Sequence, residues 1–410
     1  VGAQDVIPFQ EITNPADDDD SVVPTDLPYA CDAPFSTTID AFVGPTRVVG
    51  RIPDIPGQGD PAYLTTVINN SINQKPIDPE QYRKYFSISA WVWRKSTEKS
   101  LHNMFGQNGN LQLSPPVEGS FTKGQLKPLT HFFNCHGAPR DPGYYGQKGK
   151  SFPQAIRAGV LDKNIAPGTV AAAECCYGAE LYDPSRLGIE ELSIANTYLA
   201  NNALGFLGSS TIAYGPSDDQ GLADLITQYF INEVISGASL GRALLEARQQ
   251  FLTDSGPQLD PYELKTLAQF YLLGDPSVQP ALSESDTMAG TLAKSSIDNN
   301  RMRLFSKGMG LKKTITPAKK VSRAVKTSDE KKLKEILKET DFTEVQTEHV
   351  YEVKPNVAGI RGMQKKLMGE NIRYRTFIKP GAKSKVCDIT VLVVKENKEK
   401  LLGWRMYVSK

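Results

Sequence analysis

Two apolar runs that each end in a reactive side chain and a glycine constrain this chain more than any other feature. The first run, residues 129–137, ends in His136 and Gly137, and the second, residues 168–178, contains Cys176. Each run indicates a buried strand of a parallel sheet. Because ligands gather beyond the carboxyl ends of such strands, we expect the imidazole and the thiol to meet at one edge of the sheet. The two runs therefore predict a cysteine nucleophile with a histidine base beside it.

Predicted helices and strands alternate through the first two thirds of the chain. Helices are predicted over residues 61–73, 97–104, 152–159, 188–202, 220–236, 239–254 and 261–272, and strands over 87–93 and 205–214. Within the first of these strands, Trp91 and Trp93 would share a face. Strands alternating with helices imply right-handed crossovers and a mainly parallel sheet covered on both faces. Residues 1–281 are therefore predicted to form one α/β domain.

The composition changes after residue 281. Residues 282–326 are rich in Ser, Lys, Thr and Gly with few large apolar side chains, which predicts a linker or a partly ordered extension. Residues 327–410 then form a predicted accessory domain of the small α+β class. Its predicted elements are helices over 328–340 and 360–368 and strands over 345–353, 372–378, 386–394 and 401–408.

The net charge of +1 conceals opposite charges on the two parts of the chain. Residues 296–410 carry 27 Lys and Arg against 13 Asp and Glu, about +14, whereas residues 1–295 carry 20 against 33, about −13. An acidic body is thus joined to a basic tail domain. The charges could simply attract the two domains to each other, or the acidic body could act on cationic substrates, and composition does not separate these explanations.

Length and composition set further bounds. With 410 residues, 40% of them apolar, the chain is long enough for two or three globular domains, and it has no run of 18 or more apolar residues that would span a membrane. It starts at Val1 in what resembles the end of a strand, so we expect a fragment that lacks an N-terminal part. Because the missing part could have included a signal peptide, the sequence leaves the cellular compartment open. Five cysteines, an odd number, predict mostly free thiols.

The second apolar run, residues 168–178, contains the candidate nucleophile. Glu174, Cys176 and Gly178 fit the caspase frame of an acid or amide, any residue, Cys, any residue and Gly, and the candidate His136 lies 40 residues upstream. A thiolate needs a base or a cation to form near neutral pH, and an imidazole can supply both the base and the proton for the leaving amine. The glycines allow sharp turns, so that the backbone N–H groups of Gly137 and Cys176 can point at a developing oxyanion.

Two other interpretations of these residues compete with catalysis. Cys135, His136, Cys175 and Cys176 have the chemistry of zinc ligands, but adjacent strand residues point to opposite faces and would not converge on one ion, so we expect no metal. The cysteines could also be small buried hydrophobic residues. That role suits Cys135 and Cys175, which would face away from the reacting pair.

Two loops carry separate hypotheses. Residues 17–20, four consecutive aspartates, could bind a structural calcium ion, although the spacing of an EF-hand loop is absent and a solvated acidic turn is the favoured interpretation. The loop over residues 138–151 follows a predicted strand and bears Tyr144 and Tyr145, so it is placed to form one wall of a site. Its lysines, Lys148 and Lys150, make it a candidate for proteolytic processing.

Several segments together resemble the gingipain-type peptidases of the caspase-like (clan CD) cysteine peptidases. They are residues 27–32, 49–53, 133–137, 173–178 and 272–277, and the resemblance spans about residues 1–280. It implies a caspase-like α/β/α sandwich and an endopeptidase that works through an acyl-enzyme thioester, with His136 and Cys176 as the dyad. It also implies an oxyanion hole formed by the backbone N–H groups of Gly137 and Cys176.

The resemblance leaves one role open and is limited in extent. Some members of the family add a carboxylate behind the histidine, and Asp78 and Glu80 are the candidates here. Nothing after about residue 300 resembles the C-terminal modules of the secreted family members, which argues against an extracellular role.

The resemblance also suggests which bond is cleaved. The gingipain branch uses acidic residues to accept P1 Lys or Arg, and Glu174, Asp218 and Asp219 are the candidates for that pocket. A buried carboxylate discriminates strongly, because a wrong side chain leaves it unpaired. Alternatively, Asp218 and Asp219 are a solvated helix N-terminus, which would leave a peptidase with a different P1 preference.

The predicted partners follow from these interpretations. The substrate would be a protein or peptide, without a cofactor. The basic domain could dock a partner or regulator, cover the acidic cleft as an inhibitory segment, or bind nucleic acid, which no interleaving of aromatic and basic residues supports. The alternative of a different class is a catalytically silent caspase-like scaffold that recruits partners.

Overall fold

The computed structural model describes residues 1–283, 292–323, 325–345, 347–353, 371–381 and 384–410. The α-helices are α1 (Pro61–Asn73), α2 (Arg94–Phe105), α3 (Ala158–Leu161), α4 (Pro184–Leu187), α5 (Ile194–Ala200), α6 (Ala223–Ile235), α7 (Leu240–Ser255), α8 (Pro261–Gln269), α9 (Leu292–Thr314) and α10 (Glu330–Glu339). The strands are β1 (Gln10–Thr13), β2 (Val22–Thr25), β3 (Tyr85–Ala90), β4 (Leu111–Ser114), β5 (Thr130–Asn134), β6 (Gly143–Tyr145), β7 (Gln154–Arg157), β8 (Val170–Ala173), β9 (Gly205–Ser209), β10 (Tyr214–Gly215), β11 (Gln258–Leu259), β12 (Phe270–Gly274), β13 (Thr316–Pro317), β14 (Lys319–Lys320), β15 (Glu348–Val353), β16 (Ile372–Pro380), β17 (Ile389–Glu396) and β18 (Leu401–Ser409).

A six-stranded sheet in the order β12-β9-β8-β5-β3-β4 forms the centre of the first domain. All neighbouring strands are parallel except β12, which runs antiparallel to β9 at the edge. Apolar side chains alternate between the two faces: Phe132 and Ala172 pack in one core with α6, α7 and α8, whereas Phe133 and Ala173 pack in the other with α1, α3 and α5. The predicted caspase-like α/β/α sandwich with a mainly parallel sheet is confirmed.

Local sequence signals explain where the helices of this domain begin. The N–H of Arg242 donates to the side chain of Ser239, which is the N-cap of α7. At the start of α8, Asp260 and Glu263 form a reciprocal capping box around Pro261. These caps fix the helices that pack against one face of the sheet.

Some predicted elements differ from the structure. The helix predicted over residues 261–272 ends at Gln269, and Phe270–Gly274 forms the edge strand β12, because its buried apolar run pairs with β9. The helix predicted over 152–159 is instead β7 followed by the four-residue α3. Trp91 and Trp93 lie in a 3₁₀ helix rather than on one strand face, and only Trp93 of the two is buried.

The segment predicted as a linker contains a long helix. Helix α9 lies along α7, where the guanidinium of Arg303 is 3.2 Å from the carboxylate of Glu246 and the buried amide of Gln249 donates to the carbonyl of Leu304. Leu304 and Leu311 are buried. A sparse set of apolar residues is sufficient for this helix because an existing helix surface receives it.

The C-terminal α+β domain is one antiparallel sheet in the order β10-β18-β17-β16-β15-β14, with α10 packed on it. Four of its predicted strands and its first helix are present, with ends shifted by up to three residues, and the helix predicted over 360–368 lies outside the described residues. Strand β10 belongs to the first domain, so the two domains share this sheet. Opposite charges also pair across the boundary, including Arg405 with Glu263 at 2.8 Å.

Two of the four aspartates of residues 17–20, Asp18 and Asp20, pair with a buried lysine, whereas Asp19 is exposed. The ammonium of Lys265 lies 2.6 Å from carboxylate oxygens of both Asp18 and Asp20, and the side chains of Lys265 and Asp18 are fully buried. The hydroxyl of Tyr177 donates to Asp20 at 2.8 Å. A lysine thus supplies the positive charge that the calcium hypothesis assigned to a metal ion.

No helix among the described residues is long and apolar enough to cross a membrane.

We predict that Lys265→Met destabilises the protein by about 3–5 kcal/mol, because it leaves two buried carboxylates without their cation. Arg83→Met is the matched control, since its ion pair with Glu80 is exposed and contributes below about 1 kcal/mol. Denaturant unfolding monitored by circular dichroism measures both changes. Equal stability of the two variants would contradict a structural role for the buried ion pair.

The stability of the folded protein is expected to depend on pH through the buried ring of His131. Burial lowers the pKa of His131 from 6.5 to about 4, so the folded protein keeps this ring neutral while the unfolded chain protonates it. Its contribution to stability is present above pH 6.5 and is lost as the pH falls to about 4, by on the order of 3 kcal/mol. His131→Gln should therefore lose less stability on acidification than the parent chain, and the exposed His102→Gln should not differ from it. Parallel curves of unfolding free energy against pH for His131→Gln and the parent chain would contradict this prediction.

Candidate active site

The pairing of two central strands places His136 and Cys176 side by side. Strands β5 and β8 are adjacent and parallel, and Phe133 is paired with Ala173. His136 and Cys176 each follow that pair by three residues, so they leave the sheet at the same edge. A Cβ atom placed on Gly137 would lie 1.7 Å from the carbonyl oxygen of Cys176. Only glycine at this position lets the two chain segments approach so closely.

The neighbouring cysteines point away from this edge. Cys135 and Cys175 are buried in the core on the opposite face of the sheet from Cys176. Burial raises the pKa of both thiols, as expected for packing residues. Cys135 and Cys175 therefore pack in a different core from Cys176, as strand alternation predicted.

A glutamine and two aromatic rings fix the imidazole of His136. The Nε2 atom lies 2.7 Å from Oε1 of Gln147, and the rings of Trp93 and Phe152 have centroids 4.4 Å and 5.3 Å from that of His136. Burial lowers the pKa of His136 to about 4, although the bond to Gln147 and the backbone of Cys387 oppose this effect. Among the described residues, Nδ1 makes no hydrogen bond of ordinary geometry.

The thiol of Cys176 is enclosed. Its Sγ atom donates to the carbonyl of Ala213 at 3.5 Å, and no part of the residue is exposed to solvent. Burial raises the pKa of Cys176 well above its usual range, and the side chain of Cys387 adds to this effect. In the arrangement described, both the thiol and the imidazole are therefore neutral near pH 7.

Lys410, the residue that follows β18, lies beside Cys176 and Ala213, in the space that we call the cleft. The backbone N–H of Cys176 donates to the carbonyl oxygen of Lys410 at 2.6 Å, and the N–H of Lys410 donates to the carbonyl of Ala213 at 2.9 Å. Strand β18 continues this pairing along β10, with Ser409 opposite Tyr214. The cleft therefore holds an extended segment by backbone hydrogen bonds, with one carbonyl at the predicted oxyanion position. In the described part of the chain, Gly137 makes no hydrogen bond to Lys410.

A buried acidic pocket receives the side chain of Lys410. Its Nζ atom lies 3.0 Å from Oδ1 of Asp224, 3.4 Å from Oε2 of Glu174 and 5.2 Å from the ring centroid of Trp93. Lys410, Glu174 and Asp224 are all fully buried. A Cβ atom on Gly215 would lie 2.5 Å from Cε of Lys410, so this glycine leaves the space that the lysine occupies.

The protonation states in this pocket follow from burial and pairing. Burial and the nearby Asp224 raise the pKa of Glu174 well above 4.5, against the effect of the lysine. Burial lowers the pKa of Lys410, but the two carboxylates outweigh it and the net shift is upward. The pocket thus holds the lysine ammonium against two buried acidic side chains, Glu174 and Asp224.

The other predicted site residues lie elsewhere. Asp218 and Asp219 are exposed and pair with the surface residues Lys95 and Lys99, so the structure does not bring them to the pocket. Asp78 and Glu80 precede β3, at the opposite end of the parallel sheet from His136, and both are exposed. The position behind His136 is occupied by Gln147 instead.

Several residues at the site had no clear sequence signal. Asp224 is in the first turn of α6, within a predicted helix, and only the packing of α6 against β8 turns it toward Glu174. Gln147 lies in the loop that was predicted to form a wall of the site, which was the available hint. Lys410 and Cys387 come from the other domain. Among the described residues, no group of three or more His, Cys, Asp or Glu side chains is placed to hold a metal ion.

The chain was compared with protein families, curated proteins and solved structures. The sequence model of peptidase family C25 matches residues 161–281, a range that contains Cys176 and both pocket carboxylates and begins after His136. A solved structure described as "Structure of Protease" is 11% identical to this chain, with a TM-score of 0.44. The alignment covers 100% of this chain and 82% of the chain in that structure. A search of curated proteins found no match. The resemblance to the gingipain family is confirmed over residues 161–281, which match the model of peptidase family C25, and this chain is a cysteine peptidase, a hydrolase acting on peptide bonds.

Proposed function

We propose that this chain is an endopeptidase that cleaves after a basic P1 residue, lysine or arginine, by Cys-His catalysis. The observation that carries the proposal is the position of Lys410. Its ammonium lies between two buried carboxylates while its carbonyl oxygen accepts the N–H of Cys176. A P1 residue of a substrate must make the same two contacts at once.

The proposed reaction begins at the carbonyl carbon of the P1 residue. The Cys176 thiol loses its proton to Nδ1 of His136, because Gln147 holds the opposite nitrogen, Nε2, through an accepting oxygen. The sulfur attacks the carbon, and the backbone N–H groups of Cys176 and Gly137 stabilise the oxyanion. His136 returns the proton to the leaving amine, which departs and leaves a thioester. Water, deprotonated by His136, then hydrolyses the thioester and restores the thiol.

Each chemical group that these steps require is supplied by the chain. The thiol is the nucleophile, the imidazole is the base and acid, and backbone N–H groups stabilise the anion, so we propose that the reaction needs no cofactor. We assign P1 recognition to Glu174 and Asp224 rather than to Asp218 or Asp219. A buried carboxylate pair with no P1 cation would lack its compensating charge, which is a strong penalty against neutral or acidic P1 residues.

The basic C-terminal domain is proposed to regulate the peptidase by docking on it, and not to bind nucleic acid. This proposal rests on ion pairs that join the two domains, such as Lys385 with Asp141 and Arg405 with Glu263. The basic surface is thereby partly neutralised by the acidic domain of the same chain.

Irreversible labelling tests the catalytic assignment and separates a peptidase from a catalytically silent scaffold. A peptidyl-lysine acyloxymethyl ketone, incubated for hours, should modify Cys176 in the parent chain and in Lys410→Ala, as located by mass spectrometry. We expect Cys176→Ala to abolish labelling and His136→Ala to slow it by roughly 100-fold or more, because the thiol loses its base. His102→Ala and Cys31→Ala are the matched controls. Absence of labelling in every chain would refute the proposed dyad.

Substrate profiling tests the pocket. In the Lys410→Ala chain, where the lysine side chain no longer fills the pocket, peptides with P1 Lys or Arg should be cleaved and those with P1 Asp should not. Asp224→Asn should lower kcat/KM for P1 Lys roughly 30-fold or more, since breaking a buried charge pair costs at least about 2 kcal/mol. Asp218→Asn and Asp219→Asn serve as controls and should stay within about twofold, because their ion pairs are exposed. Cleavage of P1 Asp alone would overturn the assignment.

A further inference from the structure

The C-terminal strand of this chain occupies the cleft in the manner of a substrate. Strand β18 adds antiparallel to β10, with Gly215 opposite Val408 and Tyr214 opposite Ser409. The segment then ends in Lys410, whose side chain fills the acidic pocket. Strand addition to an exposed edge, with one side chain in a deep pocket, is a general way in which proteins bind extended peptides.

The rest of the domain holds this segment in place. On its other side β18 pairs with β17, where Thr390 lies opposite Val408. The hydroxyl of Ser409 accepts from the N–H of Ile389 and donates to the carbonyl of Cys387, both at 2.8 Å. The segment cannot leave the cleft without a larger change, because β18 is an interior strand of a six-stranded sheet. Either the whole domain separates from the peptidase domain or β18 breaks its pairing with β17.

The loop before β17 covers the reacting pair. Cys387 contacts the thiol of Cys176 through its side chain and lies against His136 through its backbone. The ammonium of Lys385 donates to the hydroxyl of Tyr145 at 2.8 Å, and Tyr145 exchanges two backbone hydrogen bonds of 2.8 Å with His136. The same domain therefore fills the substrate position and encloses the nucleophile and the base.

We propose that residues 407–410 occupy the P4 to P1 positions of the substrate cleft and that the C-terminal domain is an intramolecular competitive inhibitor of the peptidase. This inference rests on the proposed function, since it uses the same dyad and pocket. Tethering raises the effective concentration of the segment to the order of millimolar, so a free substrate below that concentration competes poorly. In this state residues 407–410 occupy the substrate cleft, and the peptidase is inhibited.

The mode of binding also defines a class of substrate. A substrate would present an extended segment with a buried cation at P1. The P2 side chain of the occupant, Ser409, bonds to its own domain, so the peptidase domain does not read this position through a hydrogen bond to the Ser409 side chain. The P4 residue, Tyr407, is buried with its ring centroid 6.0 Å from that of Tyr262 and its hydroxyl 3.4 Å from Asp260. We therefore expect selectivity at P1 and P4.

The rate of irreversible labelling measures the inhibition. With the peptidyl-lysine acyloxymethyl ketone as probe, Lys410→Ala should be labelled at Cys176 at least about 10-fold faster than the parent chain, because the tethered segment loses its buried charge pair. Lys398→Ala removes an exposed positive charge from the same domain and should be labelled at the parent rate. The parent rate should not depend on protein concentration, because the occupant belongs to the same molecule.

A peptide added in trans provides a measurement that does not depend on the stability of one variant. Acetyl-Tyr-Val-Ser-Lys should slow the labelling of Lys410→Ala competitively, and acetyl-Tyr-Val-Ser-Ala should not. If the parent and Lys410→Ala are both labelled at one rate, the inhibition is refuted while the proposed peptidase stands. If neither chain is labelled, the proposed function fails and takes the inference with it. A parent rate that falls with rising protein concentration would assign the occupant to a second copy and overturn the intramolecular proposal.

Discussion

The parallel pairing of β5 with β8 is the constraint on which the site depends. Because Phe133 lies opposite Ala173, the third residue after each leaves the sheet at the same level. A shift of one residue would turn His136 or Cys176 into the core of the opposite face and bring Cys135 or Cys175 to the edge. Gly137 then determines how closely the two strand ends approach, since any side chain there would collide with the backbone of Cys176.

Burial controls the chemistry of this edge in two opposite ways. It keeps the thiol and the imidazole neutral, because neither has an opposite charge strong enough to offset desolvation. It also strengthens the contact of Lys410 with Glu174 and Asp224, because these carboxyl groups lie in a region of low dielectric where a missing cation is costly. The same absence of water thus disfavours charge on the thiol and the imidazole and strengthens the ion pairs of Lys410.

The opposite charges of the two domains have a structural use in this arrangement. Arg405 and Lys385 pair with carboxylates of the first domain near the cleft, and Lys410 does so inside it. Each of the first two pairs joins an exposed cation to a buried carboxylate, whereas Lys410 and both of its carboxyl partners are fully buried. Charge composition alone suggested either domain attraction or a cationic substrate, and the structure shows contacts of the first kind around a contact that resembles the second.

Local sequence patterns determined a large part of this protein. Two apolar runs with terminal His-Gly and Cys-Tyr-Gly were sufficient to predict the parallel sheet and the packing role of Cys135 and Cys175, because strand alternation and strand ends are short-range properties. Helix α1 was equally readable, with the predicted bounds of residues 61–73. Strand β12 was not, because an apolar run that follows a helix has no periodic signal of its own and becomes a strand only by pairing with β9.

Tertiary structure alone decided the pocket and its occupant. Asp218 and Asp219 are close to Asp224 in sequence and have the same charge, but only the packing of α6 against the sheet buries one carboxylate and leaves the others in solvent. Gln147 is brought behind His136 by the pairing of Tyr145 with that histidine. Lys410 reaches Glu174 across 236 residues, a distance in sequence over which no local pattern carries information. The sequence therefore predicted which residues can react, and the packing of the domains decided which side chain the acidic pocket holds.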